Sequence, residues 1–147
     1  MHELPPIPNC EVCLGCGADN PHGLRLRFTV EDGEIASEVL PDEHFQGFRG
    51  YLHGAAIAAI MDEVQARATW ALGIATVTAE LNVRYLAPVP IGQPLRATAR
   101  LLENKEDRVF RTSGELRLPD GQLAASATAV FAVPRGGTFM SQAEAAL

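Results

Sequence analysis

The sequence predicts an α+β domain in which a curled antiparallel β-sheet wraps around one long central α-helix. Three observations carry that expectation. The segment HGAAIAAIMDEVQARATWALG at 53–73 has apolar residues on nearly every side from Ala55 to Met61, the pattern of a helix buried all round by other elements. An alternating hairpin precedes it. Four alternating runs follow it, and the later links are hairpin-sized, which makes neighbouring strands antiparallel. An ordinary two-layer α+β sandwich is the alternative arrangement.

Residues 1–23 hold four of the ten prolines, all three cysteines and an Asn20-Pro21-His22-Gly23 turn, and they read as an irregular leader. Within the single domain expected over 24–135, Leu24, Leu26, Phe28 and Val30 alternate with polar residues. After Asp32-Gly33 the period-2 pattern resumes through Ile35, Ser37 and Val39. A loop punctuated by Phe45, Gly47, Phe48, Gly50 and Tyr51 leads into the helix, and Gly73 is its expected stop. Val77, Ala79, Leu81, Val83 and Tyr85 then form one face of a strand, with Thr78, Glu80, Asn82 and Arg84 on the other. Further alternating runs cover 95–101, 110–118 and 123–133, linked by 104–107 and Pro119-Asp120-Gly121. The tail 136–147 reads as a frayed end with room for one helical turn.

Composition narrows the function classes. In 147 residues, 47% hydrophobic and 20% charged, there is room for one core, and disorder as the main state is excluded. Twelve Lys and Arg against eighteen Asp and Glu give a net charge of −6, which works against a nucleic-acid partner. The start MHELPPIPNC lacks the basic and apolar regions of a secretory signal, and the apolar run 54–61 is far too short to span a bilayer. The expectation is therefore a cytoplasmic protein with no membrane partner.

Asp62 is the informative residue, because a carboxylate on a small-apolar helix is costly to bury unless something binds it. Ala58, Ala59, Gln65 and Ala66, three and four positions away, include no cation, whereas Glu63 has Arg67 four residues on. Glu63 therefore reads as half of a structural surface pair. Asp62 is either a capping or interface carboxylate, or a general base whose pKa burial raises. His53-Gly54 opens the helix, where unpartnered backbone N–H groups favour negative charge, such as that growing on a carbonyl oxygen during acyl transfer. A helix-start glycine beside a loop histidine with no task is the plain alternative. Gly54 and Asp62 lie roughly 12 Å apart along one helix, too far to act on one carbonyl carbon. Two helices antiparallel about a two-fold axis would bring them together as two equal sites, and a monomer would be inactive.

The run QGFRGYLHGAAIAAIMDEVQARA at 46–68 resembles the PaaI-type acyl-CoA thioesterases of the 4-hydroxybenzoyl-CoA thioesterase-like superfamily, whose helix opens with His-Gly-Gly and carries an acid nine residues after the histidine. CLGCGADNPHGLRLRF at 13–28 and TAELNVRYLAPVPIG at 78–92 are similar to further family signatures. The resemblance implies a hotdog fold, a homodimer as the minimum active unit, commonly paired into a homotetramer, and hydrolysis of an acyl-CoA to a free acid and coenzyme A. No bound cofactor is implied, coenzyme A being part of the substrate. By the same resemblance, the Gly54 amide polarises the thioester carbonyl and Asp62 of the partner subunit activates water or attacks directly. Gln46 helps the oxyanion or the water, Thr78 holds the water, and His53 orients the loop or touches the thioester. Ala55 stands where the family has a second glycine, which bears on the acyl pocket. A non-catalytic acyl-CoA-binding hotdog module, a sensor or carrier, is the alternative. A hotdog hydratase would need a different Asp/His arrangement.

Cys10, Cys13 and Cys16 form two Cys-x-x-Cys steps, which could place three thiolates on zinc or an iron–sulfur cluster, but a closed site needs a fourth ligand. His2 or His22 could supply it. A packing role for the leader is preferred here, with no metal and no disulfide framework expected.

Overall fold

The computed structural model describes residues 1–136, so the expected C-terminal turn beyond Gly136 lies outside the described residues. In chain order the elements are β1 (His2–Glu3), β2 (Thr29–Glu31), β3 (Glu34–Val39), a 3-10 turn (Glu43–Phe45), α1 (Gly54–Trp70), β4 (Val77–Tyr85), β5 (Leu95–Lys105), β6 (Val109–Arg117) and β7 (Leu123–Ala132). All seven strands join one antiparallel sheet in the order β1-β2-β3-β5-β6-β7-β4. The sheet packs across α1 from β3 to β4, which is the expected curled wrap.

The predicted links form as hairpin turns. Asp32 and Gly33 have φ of +50° and +83°, and Glu106 and Asp107 both have +54°, the left-handed pair that matches the twist of flanking strands. At the second turn Asn104 substitutes for glycine chemistry by bonding both the backbone N–H and the carboxylate of Asp107. Ile60, Met61 and Val64 of α1 are wholly buried against the sheet, each contributing about 1.5–3 kcal/mol by removal from water. A polar tie crosses the same interface: Thr112 of β6 donates to Gln65 Oε1 at 2.8 Å, and Gln65 Nε2 donates to the Met61 carbonyl at 3.0 Å. Gly114 makes space for it, since a Cβ there would meet Gln65 Cγ at 3.1 Å.

Four expectations need correction. The leader is not wholly irregular, because its first residues pair with β2 as a short strand. The first predicted strand shrinks to Thr29–Glu31, since Arg25 adopts φ +54° and breaks the extended run. Helix α1 is not buried all round: Ala55 is exposed and Ala58, Ala59, Asp62 and Ala66 are half-buried, because the sheet covers only the opposite side, where Ala56 and Ala68 are buried with Ile60 and Val64. In β4 a bulge at Ala79 shifts the register between Thr78 and Glu80. Such an extra residue flips the pleat, so Thr78 turns to the helix side instead of sharing a face with Glu80.

Candidate active site

The start of α1 is shaped by a tight loop. The His53 N–H donates to the Phe45 carbonyl at 2.8 Å, the Gly47 N–H donates to the Tyr51 carbonyl at 2.9 Å, and Gln46 bridges to Leu52. Gly50, at φ +87°, donates its N–H to Gln46 Oε1 at 2.9 Å. That bond orients the Gln46 amide and leaves its Nε2 without an acceptor among the described residues. Gly47 allows the loop to lie against the His53 ring, where a Cβ would stand 3.2 Å from Cδ2.

His53 is the N-cap of α1: its Nδ1 accepts from the Ala55 N–H at 2.8 Å. An accepting Nδ1 puts the proton of a neutral imidazole on Nε2. With Ala55 taken, the Gly54 N–H is the helix-start donor left without an acceptor among the described residues. The Tyr85 hydroxyl donates to the Gly54 carbonyl at 2.8 Å and fixes that peptide against β4. Sequence reasoning assigned Tyr85 only to an apolar strand face; its position at the end of β4, level with the helix start, was the missing information.

Two apolar cavities flank this point. One, of about 300 Å³, is lined by Leu14, Gln46, His53, Ala55 and Ala59 among others. The second, of about 560 Å³, lies on the Gly54 and Tyr85 side and is walled by Phe48, Tyr51, Ile57 and Val89. Gln46 and His53 thus share one cavity, and Gly54 stands on the other.

Asp62 lies two helical turns further on, half-buried, and its Oδ1 accepts from the Thr78 hydroxyl at 2.7 Å. No cation approaches it within salt-bridge distance among the described residues. The chain therefore makes two separate groups, Gln46-His53-Gly54 and Asp62-Thr78, and does not unite them within one protomer. Between them runs the alanine face of α1, and beside it β4 ends the sheet with one edge unpaired. Val77, Tyr85 and Leu86 on or next to that strand are exposed.

Glu63 has a different setting from the surface pair expected of it. Its Oε2 meets Arg67 Nη2 at 3.3 Å, but Arg67 is only 2% exposed, because the leader folds over it. The Arg67 guanidinium stacks on Phe28 at 4.6 Å and donates to Cys16 Sγ at 2.8 Å. Burial first, then the Glu63 carboxylate, pushes the Cys16 thiol up to about 12. Cys10 is also raised, again by burial first and then by Cys13.

No helix among the described residues is long and apolar enough to cross a membrane. The family model described as the thioesterase superfamily matches residues 49–125, which include α1, β4, β5 and β6. Acyl-coenzyme A thioesterase THEM4 of Mus musculus is 31% identical over 88 residues, covering 60% of this chain and 38% of that protein. The chain thus spans well under half the length of this curated relative. Among solved structures, the thioesterase superfamily protein RHA08564 aligns with a TM-score of 0.72 and 31% identity, over 78% of this chain and 60% of that one. The phenylacetic acid degradation-related protein of Ralstonia eutropha aligns with a TM-score of 0.69 and 29% identity, over 88% and 92%. The seven-stranded curled sheet around one main helix is the hotdog fold they share.

Proposed function

This chain belongs to the thioesterase superfamily, and from that premise we propose that it hydrolyses an acyl-CoA to a free acid and coenzyme A at a site shared by two copies of the chain. The observation that carries the reading is Asp62: a half-buried carboxylate on an alanine face, held by the Thr78 hydroxyl and not neutralised by a cation. A carboxylate so placed keeps its second oxygen for a water molecule or a carbonyl carbon.

The thioester carbonyl oxygen accepts from the Gly54 N–H, which, with the macrodipole of α1, stabilises the negative charge that grows there. Asp62 of the partner subunit takes a proton from water as the water oxygen bonds to the carbonyl carbon. The tetrahedral intermediate then collapses, the C–S bond breaks, and the thiolate of coenzyme A leaves and takes up a proton. Direct attack by Asp62 would pass instead through an anhydride that water opens to the same products. Thr78 positions the carboxylate and the water. The Gln46 Nε2 donors lie on the same helix-start loop and assist the oxyanion or the water. His53 acts as a positioning residue, because its Nδ1 is committed to the Ala55 N–H, which leaves Gly54 as the available amide.

Sharing between copies is supported by distance, since Gly54 and Asp62 of one chain are roughly 12 Å apart along α1. It is also supported by the open edge of β4 and the exposed apolar residues beside it, a surface that a second copy can cover while setting the two helices antiparallel. The dimer is the minimum active unit in this reading, and dimers pair further into tetramers. The cytoplasm is the compartment that fits an acyl-CoA substrate.

Thiol release from short, long and aromatic acyl-CoAs, by the native chain and by Asp62→Asn at matched folding and oligomeric state, tests the reading. Turnover by the native chain that Asp62→Asn loses supports it. Acyl-CoA binding without release by either protein would leave a non-catalytic binding module.

A further inference from the structure

The proposed reaction leaves one half-buried cluster of donors unused. Residues 10–16 of the leader fold onto α1 beside the alanine face, with Leu14 against Ala55 and Ala59 and the cysteines over Glu63. There Cys13 Sγ, Cys16 Sγ and a carboxylate oxygen of Glu63 all lie within 4.8 Å of one another. Glu63 divides its two oxygens: Oε1 faces Cys13 Sγ at 3.5 Å, while Oε2 is held by Arg67 at 3.3 Å. The Gly15 N–H donates to Cys13 Sγ at 3.3 Å, and Arg67 Nη2 donates to Cys16 Sγ at 2.8 Å. Gly15 has to be glycine, since a Cβ there would stand 2.2 Å from Glu63 Cγ.

We infer that Cys13, Cys16 and Glu63 form a binding site for a thiolate-preferring divalent cation of the zinc type, which clamps the leader onto α1. The donor set is two soft sulfurs and one carboxylate, suited to zinc and poorly suited to magnesium or calcium. An iron–sulfur cluster would need more thiolates than this group offers. Each sulfur already accepts an N–H bond, the outer support that stabilises a metal-bound thiolate, and Arg67 fixes the Glu63 carboxylate with one oxygen turned to the sulfurs. The charges also close: two thiolates and one carboxylate are balanced by a dication and the buried Arg67 guanidinium. Without a dication, two deprotonated thiols beside Glu63 would leave uncompensated charge in a half-buried pocket. Binding releases the two thiol protons to solvent. Glu63 thus takes the place of a third sulfur: Cys10, His2 and His22 all lie outside the group, which supplies three protein ligands and leaves the fourth position to water.

The clamp reaches the cavity at the start of α1 through Leu14, which lies between the two cysteines and lines that cavity with Gln46 and His53. This consequence rests on the thioesterase reading, whereas metal binding does not.

The test is metal content of the reduced, purified chain, exposed to zinc and then dialysed against metal-free buffer, with cobalt(II) substitution in parallel. The native chain is expected to retain about one zinc per chain and, with cobalt, to show thiolate-to-metal charge-transfer absorption. Cys13→Ser, Cys16→Ser and Glu63→Gln are each expected to weaken retention about tenfold or more. Asp62→Asn is expected to lose turnover and keep its zinc, which separates the two readings. A folded native chain that retains no zinc and gives no charge-transfer band would overturn the inference. So would variants that hold zinc as tightly as the native chain, and Glu63 with Arg67 would then be a metal-free buried ion pair.

Discussion

Asp62 and Glu63 are consecutive carboxylates on one helix, and the hundred degrees of rotation between them puts them in opposite chemical settings. Glu63 turns under the leader, where Cys13 and Arg67 occupy its two oxygens and Cys16 lies close by. Asp62 turns to the alanine face, where a single hydroxyl holds one oxygen. A carboxylate paired with a buried cation anchors structure. One held only by a neutral donor, on a face that a second copy can cover, keeps an oxygen free for a ligand. The difference teaches that the informative feature of an acid in a helix is the absence of a countercharge, more than burial itself.

The contrast breaks most sharply at Asp62. Asp62→Asn keeps the size and the Thr78 contact, and is expected to lower kcat about 10²–10⁴-fold with little change in melting temperature. Steady-state thiol release beside a thermal melt checks both halves. At the neighbouring acid the pattern should reverse. Arg67→Met leaves Glu63 without its cation and is expected to cost ~2–3 kcal/mol of stability, below the range for fully buried pairs because Glu63 keeps some solvent contact. Denaturant unfolding measures this, and a loss under ~0.5 kcal/mol would mean that the pair anchors nothing.

Thr78→Val removes the one hydrogen bond that the structure gives Asp62. A drop in kcat of about tenfold, with stability changed by less than ~1 kcal/mol, is the expected outcome. A purely structural hydroxyl would move stability and leave kcat alone. Asp42, a carboxylate outside both settings, calibrates the small end. The His44 backbone N–H holds its carboxyl below the usual range, so its stabilisation is present above that range and lost as pH falls through the lowered value. Asp42→Ala is expected to cost a few tenths of a kcal/mol at neutral pH and nothing in strong acid, readable from melts at both pH values.

The sequence was legible where one periodicity dominates. The alternations in β5, β6 and β7 map onto strands because alternate residues are buried, Leu95 in the main apolar cluster and Phe110 and Phe131 in a second, smaller one. Legibility fails where a single residue breaks the period. Arg25 in the left-handed region shortens β2, and the bulge at Ala79 moves Thr78 across the sheet, neither of which leaves a compositional mark. At the candidate site, Asp62 stood out as a charge among alanines, and His53-Gly54 as a helix start. Thr78 entered only through family resemblance, as a hydroxyl holding the water, and its bond to Asp62 had no sequence signal. The Glu63–Arg67 pair was legible from its i,i+4 spacing and forms as expected; its cover by the leader was not, because Cys13 and Cys16 lie about fifty residues away in sequence.

The central claim, that Gly54 of one chain works with Asp62 of another, is open to a direct complementation measurement. Gly54→Pro deletes the amide at a first-turn position that tolerates proline, and its Cβ would stand 3.5 Å from Tyr85, an ordinary contact. Alone, Gly54→Pro and Asp62→Asn should each be nearly inactive. Refolded together in equal amounts, they form mixed dimers with one intact site, and thiol release should recover to about a quarter of the native rate. Activity that stays at the level of the separate variants, with mixed dimers shown to be present, would contradict a shared site.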